Sequence, residues 1–335
     1  MSATRPTLIC LTPVRNEAWI LERFLRCAEL WADQIIIADQ GSTDGSREIA
    51  AQHPKVRLID NADTTFDEKS RQQLLLAAAR ELPGPRILIA LDADEMLSAN
   101  YASSTEWATL LAAPAGTQLY MERGDLYPFC QDIGVFHAPW LFGFVDDGRT
   151  HNGEFIHSPR VPQDEHGPKL YLADIKVLHY QYTDWTRMKS KHRRYEVVET
   201  LHDPRRGAIS IYRQYHHMDP QNPWRMPIPS EWFEGYTRAG IDMTSANIDG
   251  RYATDRAVLQ EMEKHGARRF AHQAIWDVDW VALAKVHGFA QLERFADPRT
   301  KLEKRVHVWL AESQATPLRF KHRLVSKFLR TFLGW

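Results

Sequence analysis

Four short apolar runs constrain this chain most: Leu8 to Leu11, Ile35 to Ala38, Val56 to Ile59 and Ile87 to Leu91, separated by segments with helical spacing. An uninterrupted apolar run is a strand buried on both faces. Repetition of strand, helix and strand requires crossover connections and therefore a parallel sheet. The segment near Ala18 to Trp31 places Ile20, Leu21, Phe24, Leu25, Ala28 and Trp31 on one broad stripe. The segment near Asp67 to Leu82 does the same with Leu74, Leu75, Ala78 and Leu82. Both are the pattern of a helix laid on a sheet.

Beyond this, about Gly116 to Tyr182 reads as short strands and long loops rich in aromatic, Gly and Pro residues, a mixed-sheet continuation. A helix from about Trp185 to Leu201 carries Arg187, Lys189, Lys191, Arg193 and Arg194, and the proline-rich stretch Asp219 to Pro229 marks a boundary before a mostly helical remainder. Lys plus Arg number 42 against 43 for Asp plus Glu in 335 residues, so no overall field favours nucleic acid as a partner. Cys10, Cys27 and Cys130 are odd in number and widely spaced, which predicts buried thiols in a reducing compartment rather than disulfides or a zinc site. The start lacks the pattern of a signal peptide, and no uncharged run approaches the ~20 residues that span a bilayer, so a soluble or peripheral protein is expected.

Ligands of open α/β sheets bind beyond the carboxyl ends of the strands. Here those ends read Thr12 to Glu17, Asp39 to Gly45 and Asp92 to Glu95, so polar residues gather on one edge. At an extended strand end, residues i and i+2 project to one side, and Asp92 and Asp94 can present two carboxylates to one hard divalent cation. Mg²⁺ or Mn²⁺ so held keeps positions open for phosphates and neutralises a departing diphosphate. Asp-x-Asp alone is common in surface turns. Its place after a buried strand, beside two other polar strand ends, makes it a candidate site.

The stretches TPVRNEAWILERFL (Thr12 to Leu25), IIIADQGSTDGS (Ile35 to Ser46), Lys69-Ser70-Arg71 and ILIALDADEML (Ile87 to Leu97) together resemble the family 2 glycosyltransferases of GT-A fold. The resemblance implies a Rossmann-like mixed α/β sheet flanked by helices, with a mostly helical carboxyl-terminal region. It implies a nucleotide-sugar-binding half at 1–115, an acceptor-side half at 116–215 and the helical region at 216–335. By position, Thr12, Val14 and Glu17 would line the base pocket, Asp39 would bind the nucleoside and Arg71 would lie near base or phosphate. Asp92 would sit by the ribose and the metal, and Asp94 would hold the ion. Many relatives carry two acids where this chain has Asp39-Gln40, and Gln40 can hydrogen-bond a uracil or guanine edge instead. Ser42 and Asp44 also read as caps of the helix that follows.

An inverting transfer needs a base for the acceptor hydroxyl, whereas a retaining one does not. Asp146, Asp147 and Glu154 fall where relatives place an acid, and Asp147 is favoured over Glu154; either also reads as a turn residue beside Gly148 or Gly153. The family's Val-His-Glu pattern appears as Ile156-His157-Ser158, which replaces the expected acid with serine and leaves His157 as a further option. His179 resembles a late metal ligand of some relatives, the alternative being a packed histidine.

The terminal stretch Leu318 to Trp335 is a basic amphipathic helix, docked on its own domain or a partner subunit, or in contact with an anionic membrane. The expectation is therefore a cytoplasmic enzyme, at the inner face of the membrane if that contact holds. It would transfer a hexosyl or N-acetylhexosaminyl unit from a nucleoside diphosphate sugar, UDP favoured, to a glycan or lipid-linked hydroxyl of an envelope polysaccharide, with a homo-oligomer as a further association. A non-catalytic sugar-nucleotide module and a nucleotidyltransferase are the competing readings. The second is weakened by the lack of glycine between Thr12 and Glu17.

Overall fold

The apolar runs become β1 (Thr7–Val14), β2 (Gln34–Asp39), β3 (Val56–Asp60) and β4 (Arg86–Ala90), joined by α1 (Ala18–Ala28), α2 (Ser46–Ala50) and α3 (Glu68–Arg80). The computed structural model describes residues 5–62, 67–127, 132–155, 157–218, 225–245 and 252–335. The expected mixed α/β sheet, flanked by helices and accompanied by a helical carboxyl-terminal region, is what the chain forms.

Along β1, β2 and β4 successive side chains alternate between two cores, because both faces of a parallel sheet are covered. Leu8, Cys10, Ile35, Ile37, Ile87 and Ile89 meet Ile20, Leu21 and Phe24 of α1 on one face. On the other, Ile9, Leu11, Ile36, Ala38, Leu88 and Ala90 meet Leu75, Leu76, Ala78 and Ala79 of α3. All of the residues of the α1 stripe are buried. Cys10 and Cys27 are buried free thiols, and burial pushes the Cys10 thiol up to about 12. Cys130 lies outside the described residues.

The sheet continues through β5 (Glu95–Leu97), α4 (Thr105–Leu111), β6 (Gln118–Leu126), β7 (Asp132–Val145) and β8 (Lys169–His179). Its order is β3-β2-β1-β4-β7-β6-β8-β5. β1 to β4 pair in parallel, and β7 joins β4 antiparallel with Val145 beside Ile87. The chain winds from β1 to β3 in one direction and then returns to lay β4 on the other side of β1. That reversal opens a crevice beyond the carboxyl ends of β1 and β4, where doubly wound sheets take their ligands.

The chain divides into two units, Met1–Asp184 with Trp224–Ile248, and Trp185–Pro223 with Asp249–Trp335. The second unit begins with α5 (Trp185–His202) and α6 (Ala208–Tyr215). The chain then returns to the first unit for β9 (Met226–Pro227), which pairs with β7, and α7 (Glu231–Arg238). α8 (Ala253–His265), α9 (Trp280–Val286), α10 (Lys301–Ser313) and α11 (Phe320–Leu333) complete the second unit. This division differs from the boundary expected at 215/216. Val197 of α5 packs with Val258, Leu259 and Trp280, so helices read as part of the sheet domain belong to a helical core. Much of the Asp219 to Pro229 boundary lies outside the described residues.

A second helical core joins Ile209 and Tyr212 to Val306, Leu310, Leu329 and Trp335. Of α11 itself only His322 and Leu329 are buried, while Phe320, Leu324, Phe328 and Phe332 are exposed. Among the described residues no helix is long and apolar enough to cross a membrane.

Candidate donor and metal site

The loops after β1 and β2 are stitched together by α1. The first backbone N–H groups of a helix lack intrahelical partners. Here side chains from the second loop take them: Asn16 N donates to Ser42 Oγ (2.9 Å), Glu17 N to Ser46 Oγ (2.9 Å) and Ala18 N to Asp44 Oδ2 (3.0 Å). Thr43 N returns a bond to Asn16 Oδ1 at 2.8 Å. Ser42 and Asp44 thus do cap a helix, but chiefly the preceding one; Asp44 Oδ1 also accepts from Ser46 N at the start of α2.

Asp39 stands at the end of β2, 1% exposed. Its Oδ2 accepts from Ser42 N (3.1 Å) and from Arg47 (2.7 Å), and Arg47 also bridges to Asp60 (2.8 Å). Burial alone would raise this carboxyl, but the bonds from Ser42 and Arg47 outweigh it and hold the group below its usual value. Its Oδ1 is buried with no hydrogen-bond partner, an acceptor open to an incoming donor. Gln40 is buried next to it, its N–H bonded to Val14 O. Glu17 accepts from Trp19 Nε1 at 2.7 Å, and Thr12 and Val14 are buried beneath the loop. The Arg71 Nε on α3 is buried and unpartnered.

On the other side of the crevice, Asp92 and Asp94 follow β4. Asp92 is engaged by Arg160, whose guanidinium bonds Asp92 Oδ2 at 2.8 Å and also grips the buried Glu95. Glu95 in turn caps Asp92 N at 3.0 Å. Burial lowers the Arg160 pKa, but the Asp92 and Glu95 charges outweigh that and leave it above its ordinary value. Pairing of β5 with β8 brings Glu95 opposite His179, and Tyr180 N bonds to Asp94 O at 2.8 Å. The buried Asp94 carboxylate then faces His179 Nε2 at 3.7 Å.

The opposite ring nitrogen, His179 Nδ1, is 2.6 Å from Asp125 Oδ1, and Asp125 Oδ2 is 2.7 Å from His137 Nε2. Burial would raise the Asp125 carboxyl; the bonds from His137 and His179 overcome it and hold it well below the carboxylate range. An ionised Asp125 accepts only, so Nδ1 carries a proton, and Nε2 is the ring nitrogen that faces Asp94. A ring nitrogen and a carboxylate facing each other at this distance, with the imidazole oriented by a second carboxylate, match the arrangement around a metal-bound histidine. Among the described residues no group of three or more His, Cys, Asp or Glu side chains is gathered to hold an ion, and Asp92 is turned to Arg160 instead. Asp94 and His179 therefore fit a divalent cation as a pair, with its remaining positions left to water and phosphate oxygens.

The two proposed bases part company. β7 runs antiparallel to β4, so Asp146 and Asp147 emerge beside Arg86, at the amino-terminal edge of the sheet; Asp146 N bonds to Arg86 O. Asp147 is clasped by Arg149 at 2.6 to 3.0 Å, and that contact holds its carboxyl low. The structure therefore does not bring Asp147 to the edge of Asp94, which corrects the sequence expectation. Glu154 is exposed on a loop tied to the start of α3, where Glu68 N bonds to Phe155 O and Ser158 N to Glu68 Oε2. That same loop delivers Arg160 to Asp92. His157 is exposed with a left-handed φ of 59°, and Ile156 lies outside the described residues.

Residues 10–103 match the family model described as Glycosyl transferase family 2. No curated protein matches the chain. Among solved structures, the chain is similar over 98% of its length to S. aureus TarS 1-349, covering 92% of that chain at 9% identity and a TM-score of 0.34. It is similar over 36% of its length to glucosyl-3-phosphoglycerate synthase from Mycobacterium tuberculosis in complex with Mg²⁺ and uridine-diphosphate, covering 44% of that chain at 21% identity and a TM-score of 0.26. A 4-diphosphocytidyl-2C-methyl-D-erythritol synthase matches 43% of this chain and 76% of its own at 12% identity and a TM-score of 0.30. These structural likenesses are too distant to bear on substrate.

Proposed function

With residues 10–103 matching a family 2 glycosyl transferase, we propose that the protein transfers a hexosyl or N-acetylhexosaminyl unit from a nucleoside diphosphate sugar, UDP favoured, to a hydroxyl of a glycan or lipid-linked acceptor. The observation that carries the reading is the Asp94–His179 pair, its imidazole oriented by Asp125, at the edge of the crevice between β1 and β4. Asp39, with an open buried oxygen, takes the nucleoside; Val14, Glu17 and Gln40 border the base. Arg71 has an unpartnered Nε for base or phosphate. Asp94 and His179 would hold a divalent cation, with Asp92 at the ribose and joining them if Arg160 releases it. An imidazole ligand favours Mn²⁺ over Mg²⁺. Lewis-acid neutralisation of the departing diphosphate is the chemistry such a cation supplies when bound.

For an inverting transfer, Glu154 is the acid on the loop that reaches Asp92, and it would draw the proton from the acceptor hydroxyl. The lipid-linked acceptor is favoured by α11, where Phe320 (76% exposed) and Phe332 (70%) are bared among Lys321, Arg323, Lys327 and Arg330. Thermal shift with UDP, GDP and CDP, each with and without Mn²⁺, tests the reading. Metal-dependent stabilisation by one nucleotide, absent in Asp94→Ala, is expected; no stabilisation by any nucleotide would sink it. Product anomeric configuration separates inversion from retention, and Glu154→Gln should abolish turnover while leaving nucleotide binding intact. Phe320→Ser with Phe328→Ser should release the protein from anionic vesicles, a cleaner probe than truncation, which would strip Leu329 and Trp335 from their core.

A further inference from the structure

The helical unit contains a cleft of about 800 Å³, formed by the turn before α6, the stretch from Arg268 to Gln273 and the end of α11. Its wall is strongly basic, and the charges are unequally balanced. Arg206 is held by Glu199 and Arg268 by Glu303. Arg205 has only a loose partner, Asp203 at 3.6 Å, and its side chain is 96% exposed. Arg269 and Arg330 have no carboxylate partner among the described residues, and Arg330 reaches Ser210 Oγ at 3.2 Å. A site lined by free guanidinium forks selects an oxyanion, and a phosphoryl group offers them the most acceptor oxygens.

A second feature points to the rest of the ligand. Gln273 lines the same cleft, is 5% exposed, and its Oε1 is buried without a hydrogen-bond partner. An unpaired buried amide is costly, and a hydroxyl relieves it. The wall behind is firm: Trp335 is 3% exposed and stacked on His272 at 4.4 Å. Gly207 admits the Trp335 backbone, since a Cβ there would stand 2.7 Å from its carbonyl oxygen.

We propose that this cleft binds a phosphoryl group carried on a polyol, with Arg205, Arg269 and Arg330 on the phosphoryl oxygens and Gln273 on a hydroxyl. The site lies in the helical unit and does not rest on the donor reading. Calorimetric titration of the full chain with sn-glycerol 3-phosphate, inorganic phosphate and glycerol tests it. Glycerol 3-phosphate should bind more tightly than phosphate, and glycerol should not bind. Arg269→Glu with Arg330→Glu should weaken binding about tenfold or more. Gln273→Leu should erase the preference for the polyol ester while sparing phosphate. The far-UV circular dichroism and thermal midpoint of the same variants should be unchanged, which reports that the fold is intact. Vesicles of phosphatidylglycerol against phosphatidylcholine distinguish a lipid headgroup from a soluble ester: binding of the former that is lost in Arg205→Glu with Arg269→Glu, both off α11, assigns the lipid source. No binding of glycerol 3-phosphate or of phosphatidylglycerol vesicles overturns the proposal, as does binding indifferent to these substitutions.

Discussion

The two units share buried ion pairs but differ in what else they bury. In the sheet unit the buried carboxylates lie against cations or histidines: Asp39 against Arg47, Glu95 against Arg160, Asp125 against His179 and His137, Asp146 against Arg80 and Arg86. The helical unit has such pairs as well, Arg193 with Asp255 and Arg268 with Glu303, but here burial also drives several groups neutral. It lowers His192 to about 3, His216 to about 4 and His307 to about 4, and raises Glu196 to about 8. Fixed charges cost little to reorganise around a charged ligand, whereas groups packed between helices are buried at lower cost when they shed charge.

The strongest challenge to this contrast is Asp94→Ala, for which sugar transfer should fall by about a thousandfold or more. Retention of full activity would remove the metal reading. Asp125→Asn keeps the shape but loosens the orientation of His179, and a loss of about 10- to 100-fold in metal affinity is expected, measured as the Mn²⁺ dependence of turnover. In the helical unit Gly207→Ala sets a Cβ against backbone rather than a movable side chain, which should cost about 1–3 kcal/mol of stability by denaturant midpoint.

The pH response should differ between the units as well. Between about 4 and 6.5, the three histidines bind protons when unfolded but not when folded, so stability rises with pH. Between 4.5 and about 8, Glu196 keeps its proton only when folded, so its contribution falls as pH rises. Above 6.5 these histidines no longer contribute, and Glu196 adds an alkaline slope of up to about 1.4 kcal/mol per pH unit. Glu196→Gln should flatten that alkaline limb; its persistence would contradict the assignment. The lowered carboxyls of the sheet unit contribute stability above about pH 4 that is lost as pH falls through their folded values. The smallest expected effect is that of Asp147→Asn, which should leave transfer within about twofold, since Asp147 lies on the far edge with Arg149.

What could be read from the sequence tracks how local the cause is. The four strands and the α1 stripe follow from periodicity, and Asp39, Asp92 and Asp94 from strand ends. Glu95 and Asp125 escaped notice because their roles come from pairing β5 and β6 with β8, and Arg160 because a loop distant in sequence carries it to Asp92. An acid within the strand-like Gln118 to Leu126 was the one local signal, since a charge buried in a strand demands a partner. Asp147 was misplaced because an Asp-Asp-Gly turn gives no strand direction, and the antiparallel course of β7 carried it away. Arg193, read among the basic residues of the Trp185 to Leu201 helix, lies inside the helical unit on Asp255 and Asp277, which sequence spacing could not reveal.

The side chains of Ser42, Asp44 and Ser46 that hold the start of α1 have one more consequence. They fix the lengths of the two loops to one another, because inserting a residue in either would shift every donor off its acceptor. Base preference in this scaffold would therefore be exchanged as a matched cassette, Thr12 to Ala18 together with Asp39 to Ser46, and a graft of either loop alone should unseat the helix before it alters the ligand.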